Sequence, residues 1–339
     1  MGSTHTQYVE LHCHSYFSLL DGASSPEALV ARACALGYPA LALTDHDGLY
    51  GAVRFWQAAR EQGIKPIFGG EVCLDDGGHL TLLAETQAGY ANLCRLISAG
   101  QLAGEKGHPL LAFETLAAHA GGLLCLSGCR QGTVARALLD EDARGAQRAR
   151  RAAGQLSEVF PGRFWIELQR HYLPSDAHLV ASSVALARAL GAQCAGIVAT
   201  NDVHYALRAA RGVPGGQRLH DLLTSIRHLV TLPEALAGGL LYPNSERHLK
   251  APREMEALFH DLPEELRTAV SETQEDIGLS DEVESLEQAG AEVASQQESL
   301  TEEMRSLEQE TRQAVQDITD SIGGILRGEA DAEEASDDD

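Results

Sequence analysis

Short apolar runs and longer amphipathic runs alternate along most of the chain. Apolar runs that end at turn residues, such as those in "PALALTDHDG" and "GGLLCLSGC", predict buried strands. Runs with apolar residues every three or four positions predict helices, including "SPEALVARACALG", with Ser25 as its N-cap and Gly37 at its end, and one long helix over residues 133–156. Repeated strand–helix units with nearly continuous apolar strands favour a parallel α/β sheet, open or closed into a barrel.

Side chains that can bind metals follow several of these predicted strands. They are His12, His14, His46, Glu71, Cys129, Asp202 and His204, with Asp21 in the loop after the first strand. In a parallel barrel the carboxyl ends of the strands meet at one mouth, and residues at i and i+2 point to the same side of a strand. Imidazole and carboxylate ligands suit Zn, Mn or Fe, and so many candidates indicate two or three ions.

Each of these features is weak when taken alone. A His-x-His pair is often a surface pair, a carboxylate at a strand end is often a helix cap, and a lone cysteine is often a small buried side chain. Their joint occurrence at the ends of several strands favours a metal cluster. Asp45, directly before His46, is a candidate to orient one of the imidazoles.

The last 69 residues differ in composition from the rest of the chain. Residues 271–339 contain 22 Asp and Glu against three Arg, a net charge of −19, whereas the whole chain carries −23. This segment contains no aromatic residue, cysteine, histidine or proline. The change predicts a domain boundary near residue 270, and the negative charge should repel DNA.

Apolar residues in the acidic segment follow the three- and four-residue steps of a heptad repeat. They are Leu279, Val283, Leu286, Val293, Leu300, Met304, Leu307, Ala314, Ile318 and Ile325. The repeat is interrupted at Gly290, Gln297 and Thr311. Two interpretations remain open, a coiled coil that self-associates or pairs with a partner through residues 279–325 and a single solvated helix. Residues 329–339 are expected to form a disordered acidic C-terminus.

Cysteine use and hydropathy bear on the cellular compartment. The seven cysteines are scattered and form no CxxC pair, which is typical of a reducing cytoplasm. The chain has no run of about 18 apolar residues, and its first residues lack the pattern of a signal peptide. We therefore expect a cytoplasmic protein with no membrane partner and a disordered N-terminus over residues 1–7.

Six stretches of the chain resemble the motifs of the polymerase and histidinol-phosphatase (PHP) domain. They are "LHCHSYFSLLDG", "LALTDHDGLYGAVRF", "GGEV", "LTLLAETQAGYANLCRLIS", "GLLCLSGCRQG" and "VATNDVHY". The most similar form is the one at the N-terminus of bacterial DNA polymerase III alpha subunits, and "LYPNSERHLKAPREMEALFHDLPE" is similar to their error-prone branch. The resemblance implies a distorted seven-stranded (β/α)7 barrel with a multinuclear metal site. In active forms that site hydrolyses phosphoesters, including 3′–5′ exonuclease proofreading.

Carried over to this chain, the resemblance implies a set of metal ligands. They are His12, His14, Asp21, His46, Glu71, Cys129, Asp202 and His204, of which His12, His14, Asp202 and His204 would be catalytic. The family pattern has a ninth ligand, a histidine after "LIS", where this chain has Ala99. His108 could substitute for it or could be a surface residue. We therefore expect two or three Zn²⁺ or Mn²⁺ ions, with one ligand missing.

The resemblance also implies a division into domains. The barrel would cover residues 8–232, a connecting segment 233–270, and the acidic helical tail 271–328. The similar polymerases continue into palm, thumb and fingers, but here the similarity ends near Leu266, and no aspartate cluster resembling the palm follows. We expect that this chain does not synthesise DNA by itself and that replication or repair polymerase components are possible partners.

Three functions remain open at this stage. The first is a metal-dependent nuclease acting on DNA 3′ ends, in which a metal-activated water attacks phosphorus. The second is a small-molecule phosphatase of the histidinol-phosphate type, and the third is a non-catalytic structural or assembly module. The polymerase-like motifs favour the first over the second, and Ala99 favours the third. Arg130 and Arg170 are candidates to bind the substrate phosphate, although both could equally be solvated surface groups.

Overall fold

The computed structural model describes residues 8–140, 142, 144–208, 216–264, 266, 267 and 309. The chain divides into two compact units, residues 1–287 and 288–339, and every element described below belongs to the first. The predicted coiled coil over 279–325 and the predicted disordered ends 1–7 and 329–339 lie outside the described residues, apart from residue 309. In the part of the chain that is described, no helix is long and apolar enough to cross a membrane.

Six strands form one mixed sheet in chain order. They are β1 (Ala40–Leu43), β2 (Lys65–Cys73), β3 (His79–Ala84), β4 (Leu123–Leu126), β5 (Phe164–Leu168) and β6 (Gly196–Ala199). The pairs β1–β2, β4–β5 and β5–β6 are parallel, whereas β3 is antiparallel to both β2 and β4. The prediction of a parallel sheet is therefore wrong for β3. Only five residues join β2 to β3, enough for a hairpin, whereas a parallel connection needs about a dozen or more.

The segment 8–14, predicted as the first strand, is extended but forms isolated bridges instead of a regular strand. Glu10 bridges Leu41 of β1, and Cys13 bridges Val203, which follows β6, both in parallel orientation. The segment therefore contacts β1 and the chain that follows β6, and β1 and β6 are the two edge strands of the sheet. This position brings the start of the chain next to residues that lie far away in sequence.

Helices follow most of the strands. They are α1 (Pro26–Ala35), α2 (Ala52–Gln62), α3 (Gln87–Ala103), α4 (Phe113–Ala118), α5 (Thr133–Leu139), α6 (Gly145–Val159), α7 (Asp176–Leu190), α8 (Gln217–Arg227), α9 (Leu232–Ala237) and α10 (Pro252–Leu258), with a 3₁₀ turn at Gly191–Gln193. Helix α1 begins as predicted, because the Ser25 side chain accepts a hydrogen bond from the backbone N–H of Ala28.

The predicted helix over residues 133–156 is divided into α5 and α6. Helix α5 ends at Leu139, and its C-cap residue, Asp140, has extended backbone angles. The Asp140 carboxylate accepts a hydrogen bond from the backbone N–H of Asp142, and the Asp142 carboxylate accepts one from the backbone N–H of Arg144. Such local bonds offer the backbone an alternative to helical hydrogen bonds, which explains the interruption.

Apolar side chains of the strands and of the segment 8–14 form a common core. The cluster consists of Val9, Leu11, Ala40, Ala42, Ile67, Leu83, Leu124, Leu126 and Val198, each at most 7% exposed, with Trp165 packed against it. Burial of apolar surface at about 25 cal/mol per Å² stabilises this arrangement. Leu11 directly precedes His12, so the core also fixes the segment that carries the first candidate ligands.

Candidate metal centre

Residues from separate strands and loops converge at the end of the sheet where most strands finish. We call the following set the histidine–carboxylate cluster: His12, His14, Asp21, His46, Glu71, His79, Asp202, His204 and His220. Seven of the eight predicted ligands belong to it, and Cys129 lies beside it. His79 and His220 were not predicted.

The first two histidines are buried side by side. The rings of His12 and His14 lie 5.1 Å apart, and neither side chain is exposed. The Nδ1 atom of His12 lies 2.7 Å from the Glu167 carboxylate of β5, which also accepts hydrogen bonds from Gln169 and Thr200. Burial opposes positive charge on His12, but Glu167 and the other nearby carboxylates outweigh it and raise the pKa of His12. The imidazole is therefore oriented through Nδ1, which leaves Nε2 for the cluster.

Glu71 of β2 lies at the centre of the cluster. Its Oε1 is 3.5 Å from Nε2 of His12 and 3.4 Å from Nδ1 of His79, and its Oε2 is 3.5 Å from Nε2 of His14 and 3.1 Å from Nδ1 of His46. The side chain is 1% exposed. Burial alone would raise the pKa of Glu71, but the charges of His46 and His12 hold it well below the ordinary value. Each oxygen of this one carboxylate therefore faces two imidazoles.

Asp202 and His204 follow β6 and face the same point. The Oδ1 atom of Asp202 is 3.1 Å from Nε2 of His204, 3.4 Å from Nε2 of His14 and 3.7 Å from Nε2 of His12. Asp202 has a left-handed backbone with φ of 47°, a conformation that aspartate tolerates better than most residues. Such backbone conformations concentrate at functional sites.

Asp21 approaches the cluster from the opposite side. Its Oδ2 is 3.2 Å from Nε2 of His46 and 3.4 Å from Nδ1 of His204. The next residue, Gly22, packs so closely on the backbone that an added Cβ would lie 1.8 Å from the carbonyl oxygen of Ser15. Only glycine allows this close approach, which folds the loop back and carries Asp21 into the cluster.

Asp45 orients an imidazole indirectly. Its carboxylate accepts hydrogen bonds from the backbone N–H and hydroxyl of Ser15 and from the hydroxyl of Ser18. Ser18 Oγ lies 3.2 Å from Nδ1 of His14 and accepts a hydrogen bond from the backbone N–H of His46. Asp45 therefore orients His14 by way of the Ser18 hydroxyl, which contacts both side chains.

His79, the first residue of β3, faces the cluster although it was not predicted as a ligand. Its Nδ1 lies 3.4 Å from Oε1 of Glu71 and 3.9 Å from Sγ of Cys129. Ala99, on α3, is not among the described residues that line the cavity beside the cluster, whereas His108 lines it from an exposed loop. β3 thus supplies an imidazole that was not predicted, and the expectation that Ala99 leaves one ligand missing stays a prediction.

His220 of α8 was also missed by sequence reasoning. The side chain is 2% exposed, and its Nε2 lies 3.6 Å from Oδ1 of Asp21. The ring of Tyr242 stacks on it at 4.7 Å. The signal in the sequence, a single histidine on an amphipathic helix, is typical of an ordinary core residue.

The arginines predicted to bind phosphate have other partners. Arg130 lines the cavity, but its guanidinium donates to Asp176 and to Ser175. Arg170 forms an ion pair of 2.6 Å with Asp261 and is not among the described residues that line the cavity. The cluster instead contacts Arg227 and Arg247, which pair with Asp21 and Asp202 respectively.

The donor atoms of the cluster fit divalent metal ions. Several buried ring nitrogens and one carboxylate oxygen have no hydrogen-bond partner within the described residues: Nε2 of His12, Nε2 of His14, Oε1 of Glu71, Nδ1 of His204 and both ring nitrogens of His220. Buried polar atoms are rarely left unpaired in proteins. Four groups of three cluster side chains have ligand atoms within 4.8 Å of one another, and nitrogen and oxygen donors suit zinc and manganese.

A cavity of about 640 Å³ opens onto the cluster. Its lining includes side chains of the cluster and two cluster-bound arginines: Asp21, His46, Glu71, His79, Asp202, His204, Arg227 and Arg247. Residues 10–171 match the family model described as the PHP domain. The chain contains a PHP domain. Most members of the histidine–carboxylate cluster therefore lie within this domain.

Relatives of this PHP-containing chain include long polymerases. The error-prone DNA polymerase of Symbiobacterium thermophilum is 40% identical over 281 residues, covering 78% of this chain and 24% of the relative. The error-prone DNA polymerase of Mycobacterium tuberculosis is 42% identical over 274 residues, covering 77% and 24%. The chain thus spans about a quarter of the length of these relatives.

Two solved structures are also similar in part. A putative metal-dependent phosphoesterase from Bifidobacterium adolescentis has 17% identity and a TM-score of 0.39, covering 74% of this chain and 96% of that one. A lesion-specific endonuclease from Pyrococcus furiosus has 12% identity and a TM-score of 0.37, covering 76% and 72%. At these TM-scores the likeness carries no argument about function.

Proposed function

We propose that the PHP domain binds two or three divalent ions, Zn²⁺ or Mn²⁺, and hydrolyses phosphoester bonds at DNA 3′ ends. The observation that carries this proposal is the set of buried ring nitrogens in the cluster that have no hydrogen-bond partner within the described residues, together with the unpaired Oε1 of Glu71. Of these nitrogens, Nε2 of His12 and Nε2 of His14 face Glu71. The cavity of about 640 Å³ beside them is within the usual size of ligand sites. Cys129, next to His79, belongs to the proposed ligand set.

The chain's own residues would hold and orient the reacting groups. Bound divalent ions lower the pKa of a coordinated water and offset negative charge on a phosphate group. Glu167 fixes the ring of His12 through Nδ1, and Ser18 lies within hydrogen-bond distance of Nδ1 of His14. Both imidazoles therefore present Nε2 to the same two carboxylates, Glu71 and Asp202.

DNA is proposed as the substrate because of the relatives. Proteins that are 40–42% identical over most of this chain are named error-prone DNA polymerases. A module that removes nucleotides from a 3′ end would act on the same strand end that a polymerase extends. Replication or repair polymerase components are accordingly the proposed partners.

The test uses the full chain purified with Mn²⁺ or Zn²⁺ and a 5′-labelled single-stranded oligonucleotide. Stepwise shortening from the 3′ end is the expected result. His12→Ala and Asp202→Asn should each abolish it while the far-UV circular dichroism remains unchanged. His178→Ala, an exposed histidine on α7, is the matched control and should retain activity. Hydrolysis that survives in both site variants would show that the reaction occurs elsewhere.

The same samples separate the other functions. Hydrolysis of p-nitrophenyl phosphate or histidinol phosphate without any oligonucleotide cleavage would replace the nuclease with a small-molecule phosphatase. Metal-loaded protein that hydrolyses none of these substrates would instead favour a structural or assembly module. Neither result would change the assignment of the metal ligands, which elemental analysis tests separately.

A further inference from the structure

Arg247 binds the carboxylate of Asp202, which belongs to the cluster. Nη1 of Arg247 donates to Oδ2 of Asp202, whereas Oδ1 of the same carboxylate faces His14 and His204. The two oxygens therefore have different partners, and the ion pair leaves Oδ1 with the imidazoles. Arg247 comes from the segment after α9, within the region predicted only as a connection.

Arg227 repeats this arrangement on the other side of the cluster. Its Nη1 lies 3.0 Å from Oδ1 of Asp21, whereas Oδ2 of Asp21 faces His46 and His204. Arg227 ends α8, and its side chain is 42% exposed. Two arginines from different elements thus each bind one oxygen of a cluster carboxylate, and in Asp21 this oxygen also lies 3.6 Å from Nε2 of His220.

The guanidinium of Arg247 is buried against an aromatic ring. The side chain is 9% exposed, and its guanidinium carbon lies 4.0 Å from the centroid of the Tyr242 ring. Within the described residues, its polar side-chain contacts, to Asp202 and to Nε2 of His204 at 3.3 Å, are both made by Nη1. A guanidinium has five N–H donors, so Nη2 and Nε can serve a second acceptor.

We propose that Arg227 and Arg247 bind the phosphate group of the substrate. This inference rests on the proposed phosphoester hydrolysis and assigns the phosphate-binding role to these residues instead of Arg130 and Arg170. Both side chains line the cavity. An arginine that served only to neutralise Asp21 or Asp202 would not need to reach the cavity. A planar guanidinium matches the oxygens of phosphate and binds them through paired hydrogen bonds.

The experiment measures binding of inorganic phosphate to the Mn²⁺-loaded full chain by isothermal titration calorimetry, with metal content determined on each sample. Arg247→Gln and Arg227→Gln should each weaken phosphate binding about tenfold or more, with metal content retained. Arg130→Gln is the matched control, because Arg130 lines the same cavity while both of its terminal nitrogens are engaged, Nη1 by Asp176 and Nη2 by Ser175. It should bind phosphate as the wild type does.

Arg247→Lys keeps a positive charge beside Asp202 but loses the planar pair of donors. It should retain the metal and still bind phosphate more weakly, which separates phosphate recognition from support of the metal site. Phosphate affinity within about twofold of wild type in both glutamine variants would overturn the inference, as would an equal loss in Arg130→Gln. This titration detects no turnover, so it decides the role of the arginines even where no hydrolysis is found.

Discussion

Glu10 links two stretches of chain that together carry four of the nine members of the cluster. Its buried carboxylate accepts hydrogen bonds from the Tyr8 hydroxyl at 2.8 Å, from the backbone N–H of His12 at 3.0 Å, and from the backbone N–H of Asn201 at 3.1 Å. Asn201 directly precedes Asp202. Replacing Glu10 with glutamine therefore perturbs the alignment of the segment 8–14 with the loop after β6.

The structure gives the sign and size of the pH effect at Glu10. Burial raises the pKa of Glu10 from its ordinary value of 4.5 to about 7, although its hydrogen bonds to Tyr8 and Asn201 oppose the change. The folded chain therefore binds a proton more tightly here than the unfolded chain does. The resulting stabilisation is fully present below pH 4.5 and is lost as the pH rises through about 7. It corresponds to about 3 kcal/mol.

The assay is urea unfolding of the wild type and Glu10→Gln between pH 4.5 and 8, in chelator so that metal binding does not contribute. The unfolding free energy of the wild type minus that of the variant should fall by about 3 kcal/mol across this range. The subtraction removes most contributions of groups that titrate in both proteins. A difference that stays constant, or that grows as the pH rises, would refute the reasoning about Glu10.

Three further predictions concern the core, the ligand set and the tail. Leu83→Ala, at a fully buried position of β3, should lower the unfolding free energy by about 2–5 kcal/mol in a urea titration; a loss below about 1 kcal/mol would contradict the packing described. His79→Ala should lower the metal content found by elemental analysis, whereas Ala99→His should leave it unchanged; the opposite pattern would make the α3 position the ligand. Deleting residues 271–339 should leave a metal-bound monomer in sedimentation, whereas the full chain should self-associate more strongly at high salt, which screens the acidic flanks. A full chain that sediments as a monomer at both salt concentrations would refute pairing through the heptad repeat.

The sequence predicted those site residues that lie at or near the carboxyl ends of predicted strands. His12, His14, Glu71 and Asp202 were found this way, because the ends of parallel strands meet at one edge. His79 escaped the same rule because β3 is antiparallel. Its first residue, not its last, lies at the edge where the neighbouring strands finish.

The supporting residues could not be predicted from local patterns. Glu167 reads as part of an apolar strand, and only the pairing of strands places it 2.7 Å from His12. Arg247 lies 45 residues after its partner Asp202, and no spacing rule joins them. Contacts of this kind depend on tertiary packing, whereas strand ends and helix caps are encoded over a few neighbouring residues.

The central claim is that the cluster binds metal, and elemental analysis of the full chain from metal-replete cultures tests it most directly. The wild type should carry two or three ions of zinc or manganese per chain. Glu71→Gln should lose most of them, because this one carboxylate faces four imidazoles. Fewer than about one ion per wild-type chain, or an unchanged metal content in Glu71→Gln, would contradict the assignment of this cluster as a metal centre.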